Sequence, residues 1–263
     1  MKKIGIIGYG IIGQAVAKMF GNKVDQWRYD TNPMCSFNTE SDKEKINNCD
    51  IAFVCVPTPH NKYDGLDMSI IESVISEFNP GMFVICSALQ PGTSKRLTAK
   101  YGKRIVVQPE YFGETTNHPL VNLSQQQFLI LGGYSKDVDE VIDLYKKIYN
   151  ANVKIRKVTA LEAEVIKLSE NRAIAYKVAQ CQELYDACKA AGVDYNVIRE
   201  AVYGDDPRFN LWWTFVYDDA RGFNSKCIPK DVYGWHHWAK SNGTDPKLTG
   251  ELLEYNDGLI SDK

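Results

Sequence analysis

Short apolar runs alternate with helical patterns through the first 150 residues of the chain. The apolar runs are continuous rather than alternating with polar residues, which is typical of parallel strands covered on both faces. The runs that we interpret as strands are "KIGIIGYG", "KVDQWRYD", "IAFVCVP", "MFVICS", "RIVVQPE" and "FLILGG". This alternation predicts an α/β domain built on a doubly wound parallel sheet.

The pattern changes at Thr159, beyond which the chain is predicted to be all helical. A long connecting helix is expected over 159–191, because Thr159 and Glu162 can form a capping box and Gly192 can end the helix. Two of the shorter helices that follow are predicted in "KDVYGWHHWAKSNG" and "DPKLTGELLEYNDGLI".

The length and composition allow two domains of modest size. The chain has 263 residues, of which 44% are hydrophobic and 24% charged, so we expect an α/β domain over 1–156 and a helical domain over 157–263. The net charge of -2 argues against a nucleic-acid partner, since surfaces that bind nucleic acid are usually strongly basic. The apolar runs are only as long as strands, so no membrane span is predicted.

The seven cysteines include no CxxC pair. They are expected to be reduced and mostly buried, which is typical of a cytoplasmic protein. His236 and His237 lie shortly after Cys227, but no second pair of ligands completes a zinc site. We therefore expect no bound metal.

"GIIGYGIIG" places Gly8, Gly10 and Gly13 in G-x-G-x-x-G spacing between the first strand and a helix. In this Rossmann-type context the glycines permit a tight turn, a close approach to a pyrophosphate, and close packing of helix and strand. Asp30 ends the next apolar run, where a carboxylate can accept the ribose hydroxyls of adenosine and would repel a 2′-phosphate. The pattern predicts NAD rather than NADP as the cofactor.

Cys227 lies in "GFNSKCIPKD", residues 222–231, between two lysines that would favour its thiolate. With a dinucleotide nearby, a thiol is useful when an aldehyde must be oxidised to an acid. The thiolate adds to the carbonyl, hydride leaves the thiohemiacetal, and water cleaves the resulting thioester. If the segment is already helical, Asp231 shares a face with Cys227.

Other polar residues could assist such a thiol. Lys167 and Asn171 are one turn apart on the long helix and could stabilise an oxyanion, although an ordinary solvated helix face is an alternative interpretation. Glu110 and Glu114 follow a strand, where α/β sheets build sites, although they could equally be ordinary loop acids.

Taken together, the motifs resemble the UDP-glucose/GDP-mannose dehydrogenase family, the nucleotide-sugar 6-dehydrogenases. The similar segments follow the family's order along nearly the whole chain. They are "GYGIIG", "FVCVPTP", "DGLDMS", "SALQPGTS", "PEYFGE", "AEVIKLSEN" and "CIPKD".

The resemblance implies that the C6 alcohol of a UDP-glucose-like nucleotide sugar is oxidised to a carboxylate with two NAD. It implies that Cys227 is the nucleophile, Lys167 the oxyanion stabiliser, Asn171 a substrate-polarising group, Glu114 the hydrolytic base and Asp231 an assistant to water or to Lys167. The implied cofactor-binding residues are Gly8, Gly10, Ile11, Ile12, Asp30, Val56, Pro57, Thr58, Ser87 and Glu114. The implied substrate-binding residues are Glu110, Tyr111, Phe112, Lys167, Asn171, Arg208 and Phe223.

The sequence departs from the family pattern in several places. Ala88 replaces a threonine, Gly113 replaces a basic residue, and Asn224 and Ser225 replace a pair of glycines. The chain also ends at Lys263, where the family continues into a third, nucleotide-binding domain. We therefore expect a shortened form that is a homodimer through its helical domain or that works with a separate chain supplying the third domain.

Two alternatives to this four-electron dehydrogenase stay open. The protein could be a non-catalytic dimeric module that binds NAD or a nucleotide sugar, as Ala88 and the early end suggest. It could also be a plain NAD-dependent dehydrogenase that oxidises one hydroxyl group once. Such an enzyme would survive replacement of Cys227, whereas the four-electron route would not.

Overall fold

The structure, a computed structural model, describes residues 2–61, 64–112, 123, 126–149 and 152–261. The strands within them are β1 (Lys3–Ile7), β2 (Asp25–Tyr29), β3 (Ile51–Val54), β4 (His60–Asn61), β5 (Gly65–Leu66), β6 (Phe83–Ile85), β7 (Ile105–Val107), β8 (Phe128–Gly132) and β9 (Lys154–Val158). The helices are α1 (Ile11–Phe20), α2 (Glu40–Asn47), α3 (Ser69–Glu77), α4 (Thr93–Tyr101), α5 (Ser135–Tyr145), α6 (Ala160–Ala191), α7 (Tyr195–Arg199), α8 (Ile228–Ser241) and α9 (Lys247–Ser261). A π-helical turn, Glu200–Asp205, follows α7 directly.

The main sheet of the described residues has seven strands in the order β2-β1-β3-β6-β7-β8-β9. Neighbouring strands are parallel except β7 and β8, which pair antiparallel through Val107 and Gly132. The predicted α/β fold is confirmed, with this one antiparallel step added. Because β1 lies between β2 and β3, the order of the strands reverses there, and ligands of such sheets bind beyond the carboxyl ends of the strands at that point.

Continuous apolar runs form the central strands because both faces of the sheet are covered. In β3, Ile51 and Phe53 enter one apolar cluster, whereas Ala52 and Val54 enter the other. All four side chains are completely buried. The strand β2, at one edge of the sheet, carries more polar residues because it is only partly covered.

Contacts divide the chain into two compact units. The first, which we call the sheet unit, comprises residues 1–59 and 66–167, and the second, the helical unit, comprises residues 60–65 and 168–263. The division falls inside the single long helix α6, while the boundary predicted at 156/157 lies within β9. The predicted capping box at the start of α6 forms, since Thr159 and Glu162 exchange hydrogen bonds between side chain and backbone N–H.

The core of the helical unit consists of two apolar clusters. One joins Ala175 and Ala179 of α6 to Val232 of α8, Leu252 and Leu253 of α9, and Phe223. The other is built around Cys181, Cys188, Tyr195 and Tyr203. The short pair β4 and β5 supplies residues 60–65 to this unit, although these residues follow a strand of the main sheet in the chain.

Candidate functional site

Glycine is present for different structural reasons at the three glycine positions of the first loop. Gly8 has a φ of +87°, and a Cβ there would lie 2.5 Å from the backbone oxygen of Cys55. A Cβ at Gly13 would lie far closer to the oxygen of Gly8 than the 3.0 Å that real Cβ atoms keep. At Gly10, which caps α1, a Cβ would meet no described protein atom within 4 Å. The fold itself therefore requires Gly8 and Gly13, whereas Gly10 keeps the surface open to an approaching group.

The carboxylate of Asp30 is fixed beside this loop at the end of β2. Its Oδ2 accepts the N–H of Tyr9 at 2.5 Å, and its Oδ1 accepts the N–H of Asn32 at 2.8 Å. A cleft of about 530 Å³ opens here. Of the predicted cofactor-binding residues, its lining includes Gly8, Asp30, Val56 and Pro57. A fixed carboxylate in a cleft next to an open glycine turn fits the adenosine ribose and the pyrophosphate of NAD.

The other described residues of the predicted cofactor site lie around the same strand ends. The hydroxyl of Ser87 donates to the Val56 oxygen at 2.7 Å, which ties the end of β6 to the segment after β3. Thr58 is buried, Ile11 is half exposed at the start of α1, and Ile12 packs against the core. Contact of these four side chains with NAD stays a prediction.

Glu110, Tyr111, Phe112 and Lys167 come together within the sheet unit. The buried carboxylate of Glu110 accepts the backbone N–H groups of Tyr111 at 2.7 Å and Phe112 at 2.8 Å. Burial raises the pKa of Glu110, while these two hydrogen bonds and the charge of Lys167 oppose the rise. The Lys167 ammonium lies 5.0 Å from the centre of the Tyr111 ring. Glu114, the predicted hydrolytic base, and Gly113 lie outside the described residues.

Glu164, which the sequence analysis did not single out, fixes the start of α6 within the sheet unit. Its carboxylate is 1% exposed and accepts the N–H groups of Gly92 at 2.6 Å and Ser94 at 2.8 Å. These N–H groups belong to the first turn of α4, where a carboxylate satisfies otherwise unpaired donors. Because Lys167 follows Glu164 by three residues on α6, this capping contact also limits where Lys167 can lie.

In the helical unit, Cys227 lies at the N-terminal cap of α8 and is exposed. The N–H of Asp231 donates to the Cys227 oxygen at 3.1 Å, so Asp231 stands one helical turn further on. The Asp231 carboxylate is completely buried and accepts Asn171 Nδ2 at 2.5 Å and Lys230 Nζ at 2.6 Å. The structure thus joins Asn171 to Asp231 and adds Lys230, which the sequence had suggested only as a neighbour of the thiolate.

His60 also faces this group, although the sequence analysis did not select it. Its ring stacks on Tyr233 of α8, with ring centres 5.2 Å apart and planes at 14°. Burial lowers the pKa of His60, the charge of Lys230 lowers it further, and Asp231 opposes both effects. His60 begins the short strand β4, and the local sequence gave no signal of this contact because Tyr233 is distant in the chain.

Two predicted substrate-binding residues contact other residues of the helical unit. The exposed guanidinium of Arg208 donates to the Asp206 carboxylate, with Nη2 at 2.6 Å from Oδ2. The side chain of Phe223 is only 4% exposed and packs in the helical core. Contact of Phe223 with a substrate stays a prediction. Lys167 belongs to the sheet unit and Cys227 to the helical unit, so their meeting stays a prediction.

Two other kinds of site are absent from the described residues. No group of three or more His, Cys, Asp or Glu side chains among them is arranged to hold a metal ion. None of the helices in this part of the chain combines the length and apolar character that crossing a bilayer requires.

Two sequence models of one family match the chain. The NAD binding domain of the UDP-glucose/GDP-mannose dehydrogenase family matches residues 30–153, and the central domain of that family matches residues 161–258. Both matches describe the same order of domains that the sequence predicts.

Curated relatives of the chain are named as 6-dehydrogenases of GDP-mannose or UDP-glucose. The chain is 27% identical over 238 residues to a GDP-mannose 6-dehydrogenase of Pseudomonas syringae pv. tomato, covering 82% of this chain and 52% of the relative. It is 25% identical over 300 residues to a UDP-glucose 6-dehydrogenase of Bacillus subtilis, covering 98% of this chain and 63% of the relative. The chain therefore spans about half the length of the first of these relatives.

The fold is similar to that of a UDP-glucose dehydrogenase from the archaeon Pyrobaculum islandicum. The TM-score is 0.83 at 22% identity, and the match covers 98% of this chain and 68% of the archaeal chain. At this identity the likeness concerns the fold alone.

Proposed function

Since the chain belongs to the UDP-glucose/GDP-mannose dehydrogenase family, we propose that it oxidises the C6 alcohol of a nucleotide sugar to the carboxylate with NAD. The family and the NAD cofactor predicted from the sequence are confirmed by the two matching domains. The proposed reaction consumes one alcohol, two NAD⁺ and one water, and yields one carboxylate, two NADH and three protons. NAD, when bound, supplies the acceptor for both hydrides.

The observation that carries this proposal is the arrangement around the first turn of α8. Cys227 is exposed at the helix start, and the next turn holds the buried Asp231 with Asn171 and Lys230 bonded to it. A carboxylate that is buried and hydrogen-bonded on both oxygens is held in one position. The exposed Cys227 therefore lies one helical turn from a fixed group of hydrogen-bonded polar residues, which suits a nucleophile that must hold a covalent intermediate.

We assign the chain's residues to two successive oxidations. In the first, Lys167 accepts the alcohol proton or stabilises the alkoxide as hydride leaves C6. In the second, the Cys227 thiolate adds to the aldehyde, and the thiohemiacetal loses hydride to become a thioester. Water then cleaves the thioester, with Glu114 as the proposed base, and Cys227 is released as a thiol.

The test is the number of NADH formed per sugar consumed, measured with a panel of UDP- and GDP-hexoses. The proposal expects two NADH per sugar and an acid product. Cys227→Ser should stop net acid formation, because a serine hemiacetal is a poor hydride donor and its ester is cleaved slowly. One NADH per sugar, unaffected by Cys227→Ser, would replace the proposal with a single oxidation.

A protein that binds NAD but produces no NADH with any sugar in the panel would instead be a binding module or would need a further chain. Light scattering of the purified protein, alone and with cofactor, tests the related proposal of a homodimer through the helical domain. A monomer at micromolar concentration would contradict that proposal.

A further inference from the structure

Asn256 of α9 makes both backbone hydrogen bonds of Phe223. Its Oδ1 accepts the Phe223 N–H at 2.7 Å, and its Nδ2 donates to the Phe223 C=O at 3.2 Å. Asn256 is 4% exposed, so both bonds are shielded from water. Only a side-chain amide offers a donor and an acceptor side by side in this way, and asparagine has the length that this contact uses.

Gly222, the residue before Phe223, leaves room for the Asn256 side chain. Gly222 has a φ of +71°, and a Cβ there would lie 2.6 Å from Asn256 Oδ1. Any residue other than glycine would therefore be strained at this position and would also push the amide away. The adjoining Phe223 ring is buried with Leu252 and Leu253 of the same helix α9. The amide and the apolar contacts thus fix the chain at the same point.

Cys227 follows this fixed point by four residues. The short stretch between them, 224–226, leads to the first turn of α8, where Ser225 Oγ accepts the N–H of Ile228 at 3.2 Å. On the far side of Cys227, the buried Asp231 holds α8 through Asn171. The segment that carries the thiol is therefore held at both ends.

From this arrangement we propose that Asn256 is a positioning residue that fixes segment 222–227 and with it the Cys227 thiol. Its importance for turnover rests on the proposed dehydrogenase function, whereas its effect on the segment does not. The physical reason is that a thiol must approach the carbonyl carbon along one direction. A displacement of about 1 Å at the reacting atoms can reduce a rate by about a hundredfold.

The experiment compares Asn256→Leu and Asn256→Asp with a matched control, Thr249→Val. Leucine has the same branched arrangement of side-chain heavy atoms but can make neither bond. Aspartate keeps the acceptor but turns a second oxygen toward the Phe223 C=O. Thr249 is also completely buried on α9, but its hydroxyl bonds Arg172 and Tyr176 of α6, each at 2.9 Å. The control therefore loses a buried hydrogen bond of the same helix without touching segment 222–227.

Three measurements are made on the full chain. Hydrogen exchange of a peptide covering 222–228 should accelerate in Asn256→Leu and not in Thr249→Val, because the Phe223 N–H loses its acceptor. Alkylation of Cys227 by iodoacetamide, followed by mass spectrometry, should become about threefold faster or more, because the released segment lets the reagent approach the exposed thiol from more directions. With a substrate, kcat should fall about tenfold or more while KM for NAD is unchanged. Asn256→Asp should also accelerate exchange and alkylation and lower kcat, because its second oxygen repels the Phe223 C=O that the amide NH₂ bonds.

Several outcomes would overturn the proposal. Unchanged exchange and alkylation in Asn256→Leu would show that Asn256 does not hold the segment, and equal changes in Thr249→Val would show only a general loss of stability. Wild-type turnover in Asn256→Leu would show that the contact does not position the thiol. A wild-type protein without any turnover would contradict the proposed function alone, because exchange and alkylation would still decide the role of Asn256.

Discussion

In the sheet unit, the cofactor loop keeps its shape because the neighbouring backbone leaves no room for a side chain at two of its glycines. In the helical unit, the segment that carries the thiol is held by side-chain hydrogen bonds. At Gly13 an added Cβ would collide with the Gly8 oxygen, so the loop tolerates only one residue type there. Around Cys227 the constraints are instead the amides of Asn171 and Asn256 and the carboxylate of Asp231. The first kind of site can be identified from residue spacing, while the second depends on partners that are distant in sequence.

The difference also predicts how each site fails. A backbone turn without room for a side chain loses its shape on a single substitution, and stability and cofactor affinity fall together. A hydrogen-bonded segment can lose one partner and remain folded, so its chemistry can fail before its stability does. The substitutions below separate these two kinds of failure, beginning with the largest expected change.

Asp231→Ala should cause the largest loss of stability in the helical unit. It leaves the Lys230 ammonium, whose side chain is 16% exposed, and the Asn171 amide without their acceptor. Removing one partner of a buried ion pair typically costs about 3–5 kcal/mol. Urea unfolding of the purified protein measures this loss.

Asp218→Ala is the matched control for Asp231→Ala. It breaks an ion pair with Lys189 in the same unit, but both side chains there are well exposed, at 65% and 69%. Exposed pairs contribute at most about 1 kcal/mol, so this variant should unfold nearly as wild type does. Equal losses of unfolding free energy in the two variants would show that the buried hydrogen bonds of Asp231 stabilise the protein no more than an exposed ion pair does.

Gly13→Ala should destabilise the sheet unit by about 3 kcal/mol, near the upper end of the usual cost of overpacking, because its Cβ meets rigid backbone. Gly10→Ala is the control, since no described protein atom lies within 4 Å of its Cβ. It should leave stability unchanged and weaken NAD binding about tenfold, which corresponds to about 1.4 kcal/mol. Thermal melting and NAD titration measure the two effects, and unchanged NAD affinity in Gly10→Ala would contradict the assigned approach of the pyrophosphate.

Features set by neighbouring residues were predicted correctly from the sequence. The central strands were recognisable because each is apolar on both faces, and the capping box at Thr159 because its two members are three residues apart. The edge strand β9 was missed, since "KIRKV" mixes charged and apolar residues in the way that a half-covered strand allows.

Features that depend on distant partners were not predictable. Nothing in the local pattern shows that Lys230 would share Asp231 with Asn171, or that residues 60–65 would join the helical unit. The motif around Phe223 gave no signal that its ring packs against α9, which follows it by some thirty residues. Sequence spacing selected candidate residues in this region without showing what each one contacts.

Glu164→Gln should weaken the contact between α6 and α4 in the sheet unit. The amide can still accept one of the two N–H groups of Gly92 and Ser94, but its NH₂ then faces the other. Hydrogen bonds to a charged group contribute about 1.5–3 kcal/mol, so we expect a loss of about 2 kcal/mol. Glu162→Gln, two residues earlier, is the control: its amide oxygen can still accept the hydrogen bonds from Thr159 in the capping box, so stability should change by less than about 0.5 kcal/mol. Equal stability of both variants by thermal melting would contradict a structural role for Glu164.

The smallest expected effect is a difference in acid sensitivity on the α3–α4 side of the sheet unit. Hydrogen bonds from Lys100 and Arg96 lower the pKa of Glu72 from 4.5 to about 2. A carboxyl group whose pKa is lower in the folded state stabilises the fold above its unfolded pKa, and this stabilisation disappears as the pH falls through the folded pKa. The contribution of Glu72 should therefore be complete above pH 4.5 and lost by about pH 2.

Glu72→Gln should remove this part of the acid dependence. The variant should be slightly less stable than wild type at pH 6, and the two should converge as the pH falls toward about 2. Since the side chains of Arg96 and Lys100 are about half exposed to solvent, added salt should reduce the difference at pH 6. The test is a series of thermal melts between these pH values at low and high salt. A difference that stays constant with pH would mean that Glu72 acts through packing rather than charge, so that the ion pairs joining α3 to α4 would not contribute to the stability of this side of the cleft.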